Sequence, residues 1–143
     1  MISDFTPLFV VGAPRSGTTI LHALVCASEK TNGYVNECCY STELIKPFLT
    51  ALGTFDTHTK ALFDTREAFA LHYWDILKSE LALLWRKFGR PDVLALKDPM
   101  MTPLVPHLAK LVHGSKFVVP VRDPRAVISS RIEAAHKEWA ANR

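Results

Sequence analysis

The stretch Phe5-Thr6-Pro7-Leu8-Phe9-Val10-Val11-Gly12-Ala13-Pro14-Arg15-Ser16-Gly17-Thr18-Thr19 decides the fold. Phe5–Val11 is apolar and rich in β-branched and aromatic residues, which predicts a strand. Gly12-Ala13-Pro14 stops it, because proline pushes the residue before it out of the helical region. From Gly17 to about Ser28, the spacing of Ile20, Leu21, Leu24 and Val25 predicts a helix with those residues on one face. Strand, glycine loop and helix in direct succession open an α/β unit.

Working outward, Thr31–Glu37 reads as extended or loop, Thr42–Leu52 as a helix and Gly53–Thr59 as a polar turn region. Arg66–Phe88 is the strongest helix, with Phe69, Tyr73, Ile76, Leu77, Leu81, Leu84, Trp85 and Phe88 at three- and four-residue steps. Its aromatic residues are expected in the core. Val93–Leu96 predicts a short buried strand followed by Lys97-Asp98-Pro99, then a helix over Pro103–His113 and a third strand over Lys116–Val121. Asp123 and Pro124 open a last helix as cap and first residue. Strands separated by helices imply a parallel sheet flanked by helices, an α/β fold in three layers. Pro120 sits awkwardly in the third strand, since it cannot donate a ladder hydrogen bond.

A chain of 143 residues fits one domain spanning 1–143. Its 48% hydrophobic and 22% charged residues exclude a disordered tail or a disulfide miniprotein. No segment approaches the ~18–20 apolar residues of a membrane span. The start, Met1-Ile2-Ser3-Asp4, lacks the positive charge of a secretory signal. Cys26, Cys38 and Cys39 have no zinc-site spacing and read as free thiols of a reducing compartment. Together these features lead to the expectation of a cytoplasmic protein. Residues 1–115 hold 11 basic and 11 acidic side chains, so the net charge of +3 arises entirely after residue 115. A local cationic region suits a phosphorylated ligand. No stretch has the density of a nucleic-acid-binding arm, and no metal-ligand spacing appears.

Gly12-Ala13-Pro14-Arg15-Ser16-Gly17-Thr18-Thr19 has the four-residue glycine gap of the P-loop pattern G-x-x-x-x-G-K-[ST]. Backbone N–H groups at such a helix start converge on an anion. Thr18 stands where that pattern has lysine, and Arg15 supplies the charge instead. The change argues against ATP or GTP hydrolysis, although the loop still argues for a phosphate-like group.

A second motif is Phe117-Val118-Val119-Pro120-Val121-Arg122-Asp123-Pro124-Arg125, running to Ser130 in the following helix. In open α/β sheets, ligands bind outside the carboxyl ends of the strands. Gly12–Thr19, Lys97 and Arg122 all follow strands and are expected to open onto one crevice.

With both motifs in this order, the chain resembles the sulfotransferases that use 3′-phosphoadenosine-5′-phosphosulfate (PAPS). Their loop P-[RK]-S-G-T-T matches Pro14–Thr19, and their strand-end arginine with a serine eight residues later matches Arg122 and Ser130. Leu96-Lys97-Asp98-Pro99 through Arg122-Asp123-Pro124-Arg125 looks most like the tyrosylprotein sulfotransferases and related bacterial enzymes. The resemblance implies that Arg15, Gly17, Thr18 and Thr19 hold the 5′-phosphosulfate, with Ser16 contributing mainly through backbone. It implies that Arg122 and Ser130 bind the 3′-phosphate, and that Lys97 stabilises the oxygen from which the sulfuryl group departs. Arg15, Lys97 and a carboxylate base are then the catalytic set. Glu37 lies about where the family's glutamate base falls, with Glu43 as its rival.

The implied reaction is in-line sulfuryl transfer from PAPS to a hydroxyl or amine, releasing 3′-phosphoadenosine-5′-phosphate (PAP) without a metal. Peptide tyrosine, sugar, lipid and small hydroxylated acceptors all stay open. Family members are much longer and have a larger sheet, so the resemblance implies an N-terminal portion with an incomplete sheet. An exposed sheet edge would favour a homodimer. Two other readings are carried forward: a P-loop kinase or nucleotidase, and a non-catalytic nucleotide-binding or assembly module of the same fold.

Overall fold

In the computed structural model, which describes residues 4–141, the predicted first strand becomes β1 (Thr6–Val10), the middle of a three-stranded sheet. Met1–Ser3, read above for a signal, and Arg143, part of the C-terminal basic excess, lie outside the described residues. β2 (Val93–Lys97) and β3 (Lys116–Val118) pair with β1 on either side, both parallel. Pro7 is tolerated in this central strand because of its direction. Thr6 N–H donates to Asp92 on the β2 side and Val11 N–H to Val118 on the β3 side. Alternation therefore turns the Pro7 nitrogen toward β3, whose first residue pairs only with Leu8, so no ladder bond is lost.

Helices cover both faces of the sheet. On one face Phe5, Phe9, Val11, Leu94 and Leu96 join a core with α2 (Cys39–Gly53), α3 (Arg66–Lys87) and α4 (Val105–Leu111). The aromatic residues of α3 belong to that core, as its periodicity predicts: Phe69 stacks on Phe48 and meets Tyr73 edge-on. On the other face Val10 and Ala95 are buried, and α1 (Thr18–Val25) packs chiefly against β2. α1 covers only part of its apolar face, leaving Leu21 and Val25 half-buried. Its buried residues are Thr18 and His22, while Ile20 and Leu24 are 70% and 68% exposed. Periodicity identifies a face but not which side of it meets the sheet, and here small and polar groups make the close contact.

Three boundaries also differ from expectation. α2 begins at Cys39, and Pro47 lies inside it. The expected helix over Pro103–His113 divides into a 3₁₀ segment, Pro99–Leu104, and α4, because Pro103 and Pro106 cannot donate within a continuous helix. β3 ends at Val118, so Pro120 leaves the ladder and packs against the glycine loop. The last helix, α5 (Pro124–Ala141), has no buried residue.

In the sheet register Val10 stands opposite both Lys97 and Val118. The three carboxyl ends are therefore level, and the segments that follow them meet at one edge.

Candidate functional site

The loop between β1 and α1 depends on two glycines. Gly12 has φ +149°, and a Cβ there would lie 3.0 Å from Pro120 Cδ and 3.1 Å from Ser16 Oγ. Any larger residue would push the loop off the segment after β3. Gly17 has φ +105° and caps α1 without a side-chain hydrogen bond. The first-turn amides of α1 are thus left without a side-chain cap, next to the positive end of the helix dipole. Ser16 is buried and its Oγ has no hydrogen-bond partner among the described residues.

Thr102, which no sequence motif singled out, ties this loop to the segment after β2. Gly12 N–H donates to Thr102 Oγ1 at 2.8 Å. The single hydroxyl proton of Thr102 has Pro99 O at 2.6 Å, with Gly12 O at 3.1 Å as the alternative acceptor. The only sequence hint is a threonine close behind Asp98-Pro99. Its partner lies 90 residues away, beyond the reach of any local pattern.

Lys97 ends β2, and its side chain is only 3% exposed. Its Nζ donates to Thr19 Oγ1 at 3.1 Å and to Glu37 Oε1 at 3.0 Å. Glu37 is delivered there by backbone pairing, since Cys38 N–H donates to Lys97 O at 2.9 Å. Lys97 is held from below as well. The next residue, Asp98, is buried and accepts from Thr42 Oγ1 and from Met100 N–H. Three expected residues, Thr19, Glu37 and Lys97, therefore form one contiguous cluster. Glu43 does not join it: it pairs with Lys46 on the exposed side of α2 and lines a separate hollow.

Arg122 and Ser130 come to the same loop from the other side. Arg122 Nη1 donates to Arg15 O at 2.9 Å, and Arg15 Nε donates to Ser130 Oγ at 3.2 Å. Arg15 itself has φ +73°, a left-handed conformation that costs a non-glycine residue about 1 kcal/mol. Pro14, Arg15, Gly17, Thr18, Thr19, Glu37, Arg122 and Ser130 all border one open cavity of about 290 Å³. Lys97 lies directly behind its wall, through Thr19 and Glu37. Ser16 is under the loop rather than in the cavity.

The groups around the site have marked electrostatics. Burial lowers the pKa of His22, with the nearby Lys97 charge acting in the same direction and the bond to Ala95 O opposing them. His22 Nε2 donates to that carbonyl at 3.2 Å, while Nδ1 has no partner among the described residues. Burial pushes the Cys38 thiol up to about 12, helped by the Asp98 charge. Glu37, Cys39 and Asp98 offer ligand atoms within 4.8 Å of one another. The Lys97 cation already occupies Glu37 there, which opposes a second cation.

The Sulfotransferase family model matches residues 7–143. The chain belongs to the sulfotransferase family. Over 141 residues it is 33% identical to a Caenorhabditis briggsae protein whose name provisionally reads protein-tyrosine sulfotransferase, covering 93% of this chain and 45% of that relative. It is 31% identical to mouse protein-tyrosine sulfotransferase 1 and 30% to the human one, covering 90% of this chain and 34% of each. The chain thus spans a third to under half of the length of these curated relatives.

This finding corrects one expectation from the sequence. A cytoplasmic location rested on an N-terminus without a signal and on free thiols. The chain is instead similar to protein-tyrosine sulfotransferases and covers only about a third of their length, so its first residues carry no information about compartment. Among the described residues, no helix is long and apolar enough to cross a membrane.

Proposed function

We propose that this sulfotransferase-family chain binds PAPS in the cavity beside Gly12–Thr19 and supports sulfuryl transfer to an acceptor hydroxyl. The observation that carries the reading is convergence. Loop amides without a side-chain cap, two arginines with no ion-pair partner among the described residues and a lysine–glutamate pair meet at the carboxyl edge of one parallel sheet. The residues suit such a donor: the first-turn amides of α1 have no side-chain cap, and no acidic residue stands in that turn.

In this reading the amides of Gly17, Thr18 and Thr19 hold the 5′-phosphosulfate, and Arg122 and Ser130 hold the 3′-phosphate. The acceptor oxygen forms a bond to sulfur as the bond from sulfur to the bridging phosphate oxygen breaks. The bonding pair stays on that oxygen, and PAP leaves. Glu37, about half exposed beside the cavity, takes the acceptor proton. Lys97 is fixed by Thr19 and Glu37, so its charge sits ready for the leaving oxygen without reorganisation. The names of the relatives make a tyrosine hydroxyl of a protein the first acceptor to try.

Calorimetric titration with PAP, ADP and ATP tests the donor site. PAP should bind at least about tenfold more tightly than ADP, the usual worth of a charge-assisted phosphate contact. Equal affinities would rule out the 3′-phosphate site. A preference for ATP with Mg²⁺ would favour a kinase.

A further inference from the structure

We infer that Asn32 is a positioning residue for sulfuryl transfer, anchoring the arch of chain that sets Glu37 beside Lys97. The inference rests on the reading of Glu37 as the base given above. Asn32 belongs to no sequence motif and does not line the cavity.

β2 pairs with β1 along one edge, and residues 30–38 close the other. Val93 N–H donates to Lys30 O at 2.9 Å, and Thr31 bridges Val93 in parallel. At the far end Cys38 N–H donates to Lys97 O at 2.9 Å. Between these two points the side chain of Asn32 stands in for a strand residue. Its Oδ1 accepts from Ala95 N–H at 2.6 Å, and its Nδ2 donates to Ala95 O at 3.0 Å. A carboxamide carries the same donor and acceptor as a peptide unit, so it serves Ala95 as a neighbouring strand would. His22 Nε2 also reaches Ala95 O, at 3.2 Å, so it is the Ala95 N–H that depends most on Asn32.

This substitution frees the backbone to leave the sheet. Ala95 and Lys97 are two residues apart, roughly 7 Å along the strand. Asn32 and Cys38 flank the same step but are six residues apart. The surplus, residues 33–37, forms no helix or strand and stands out as an arch, with Gly33, Tyr34 and Asn36 exposed. Glu37 runs directly into the Cys38 anchor. Its 3.0 Å contact with Lys97 Nζ therefore depends on both feet of the arch. Asn32 is 2% exposed and Ala95 is buried, so an apolar side chain in place of the amide would leave the Ala95 N–H unpaired.

Amide hydrogen exchange, read by NMR on the chain, tests the anchor. Asn32→Leu should speed exchange at Cys38 N–H by at least about tenfold, the worth of one or two hydrogen bonds. Val11 N–H, bonded to Val118 O across the sheet, should stay within about twofold of wild type. Sulfuryl transfer from PAPS to a tyrosine-containing peptide tests the consequence. Asn32→Leu should lower kcat by at least about tenfold, since a misplacement of about 1 Å can cost 10²-fold, and leave KM for PAPS within about twofold. Added to Glu37→Gln it should cause little further loss, because both changes remove one function. Asn32→Ala, which leaves room for water at Ala95, is the second variant if leucine does not fit, and should shift both readouts in the same direction by less. Unchanged exchange at Cys38 would overturn the inference, as would equal acceleration at Val11 or additive losses in the double variant. Transfer by Glu37→Gln at the wild-type rate would instead overturn the base reading, and the catalytic role of Asn32 with it, while exchange would still decide the anchor.

Discussion

Replacing Thr102 by valine should unfasten the phosphate loop, at a cost the structure allows one to work out. The substitution keeps the shape of the side chain and removes its oxygen. Gly12 N–H, in a buried residue, then loses its acceptor at 2.8 Å. An unsatisfied buried donor costs about 1–3 kcal/mol, and the lost bond to Pro99 O at 2.6 Å adds about 0.5–1.5 kcal/mol. Little relief is available, because Gly12 is wedged against Pro120 and Ser16. The expected loss is about 2–4 kcal/mol. With a urea slope of about 2 kcal/mol/M, the unfolding midpoint should fall by about 1–2 M. Thr102→Ser keeps the oxygen and loses one half-buried methyl, which is worth under about 0.8 kcal/mol. Equilibrium unfolding in urea, followed by circular dichroism, measures all three proteins. A valine variant within about 0.5 kcal/mol of wild type would refute the reasoning, as would a serine variant damaged equally. PAP affinity measured below the transition should follow the same order.

Other predictions concern the cluster around Lys97 and its neighbours. Lys97→Met should change stability by no more than about 1 kcal/mol, because half-exposed Glu37 regains water, while sulfuryl transfer in a full-length relative-sized protein falls by about 10²–10³-fold. Transfer at the wild-type rate would remove Lys97 from the chemistry. Because the fold lowers the pKa of His22, the unfolded chain binds the extra proton first as pH falls below about 6.5. Stability should therefore drop with falling pH through that window, and His22→Gln should flatten the drop; an unchanged slope in melting temperature would exclude this histidine. At pH 8, iodoacetamide should modify exposed Cys39 rapidly. Cys38, with its pKa pushed up to about 12, should react roughly a thousandfold more slowly than an ordinary thiol. Peptide mapping that found Cys38 labelled first would contradict its burial.

The local signals in this sequence were strong because their causes are local. Gly12, Pro14 and Gly17 dictate backbone conformations within the loop itself. The apolar run before them and the proline-initiated helix at Pro124 need no distant partner to be recognised. Strand alternating with helix then leaves a parallel sheet as the natural solution, and its carboxyl edge as the site. The resemblance in Pro14–Thr19 and Arg122–Ser130 added the family, and the family match agrees.

Other features were decided only when the chain folded. Which face of α1 is buried depended on β2, where Thr18 and His22 fit closely and Ile20 and Leu24 turn outward. By sequence position Glu37 leads as the base and Glu43 is its rival. Pairing of Cys38 with Lys97 O sets Glu37 beside the lysine, and α2 carries Glu43 to Lys46. Thr102 gained its role from Gly12, 90 residues earlier, and Arg15 found Ser130, 115 residues later. Hydrogen bonds and ion pairs reach only about 3 Å, so such pairings exist only after the strands have fixed their register. The sequence determined the loop and its chemistry; tertiary structure chose the partners of Glu37, Gly12 and Arg15.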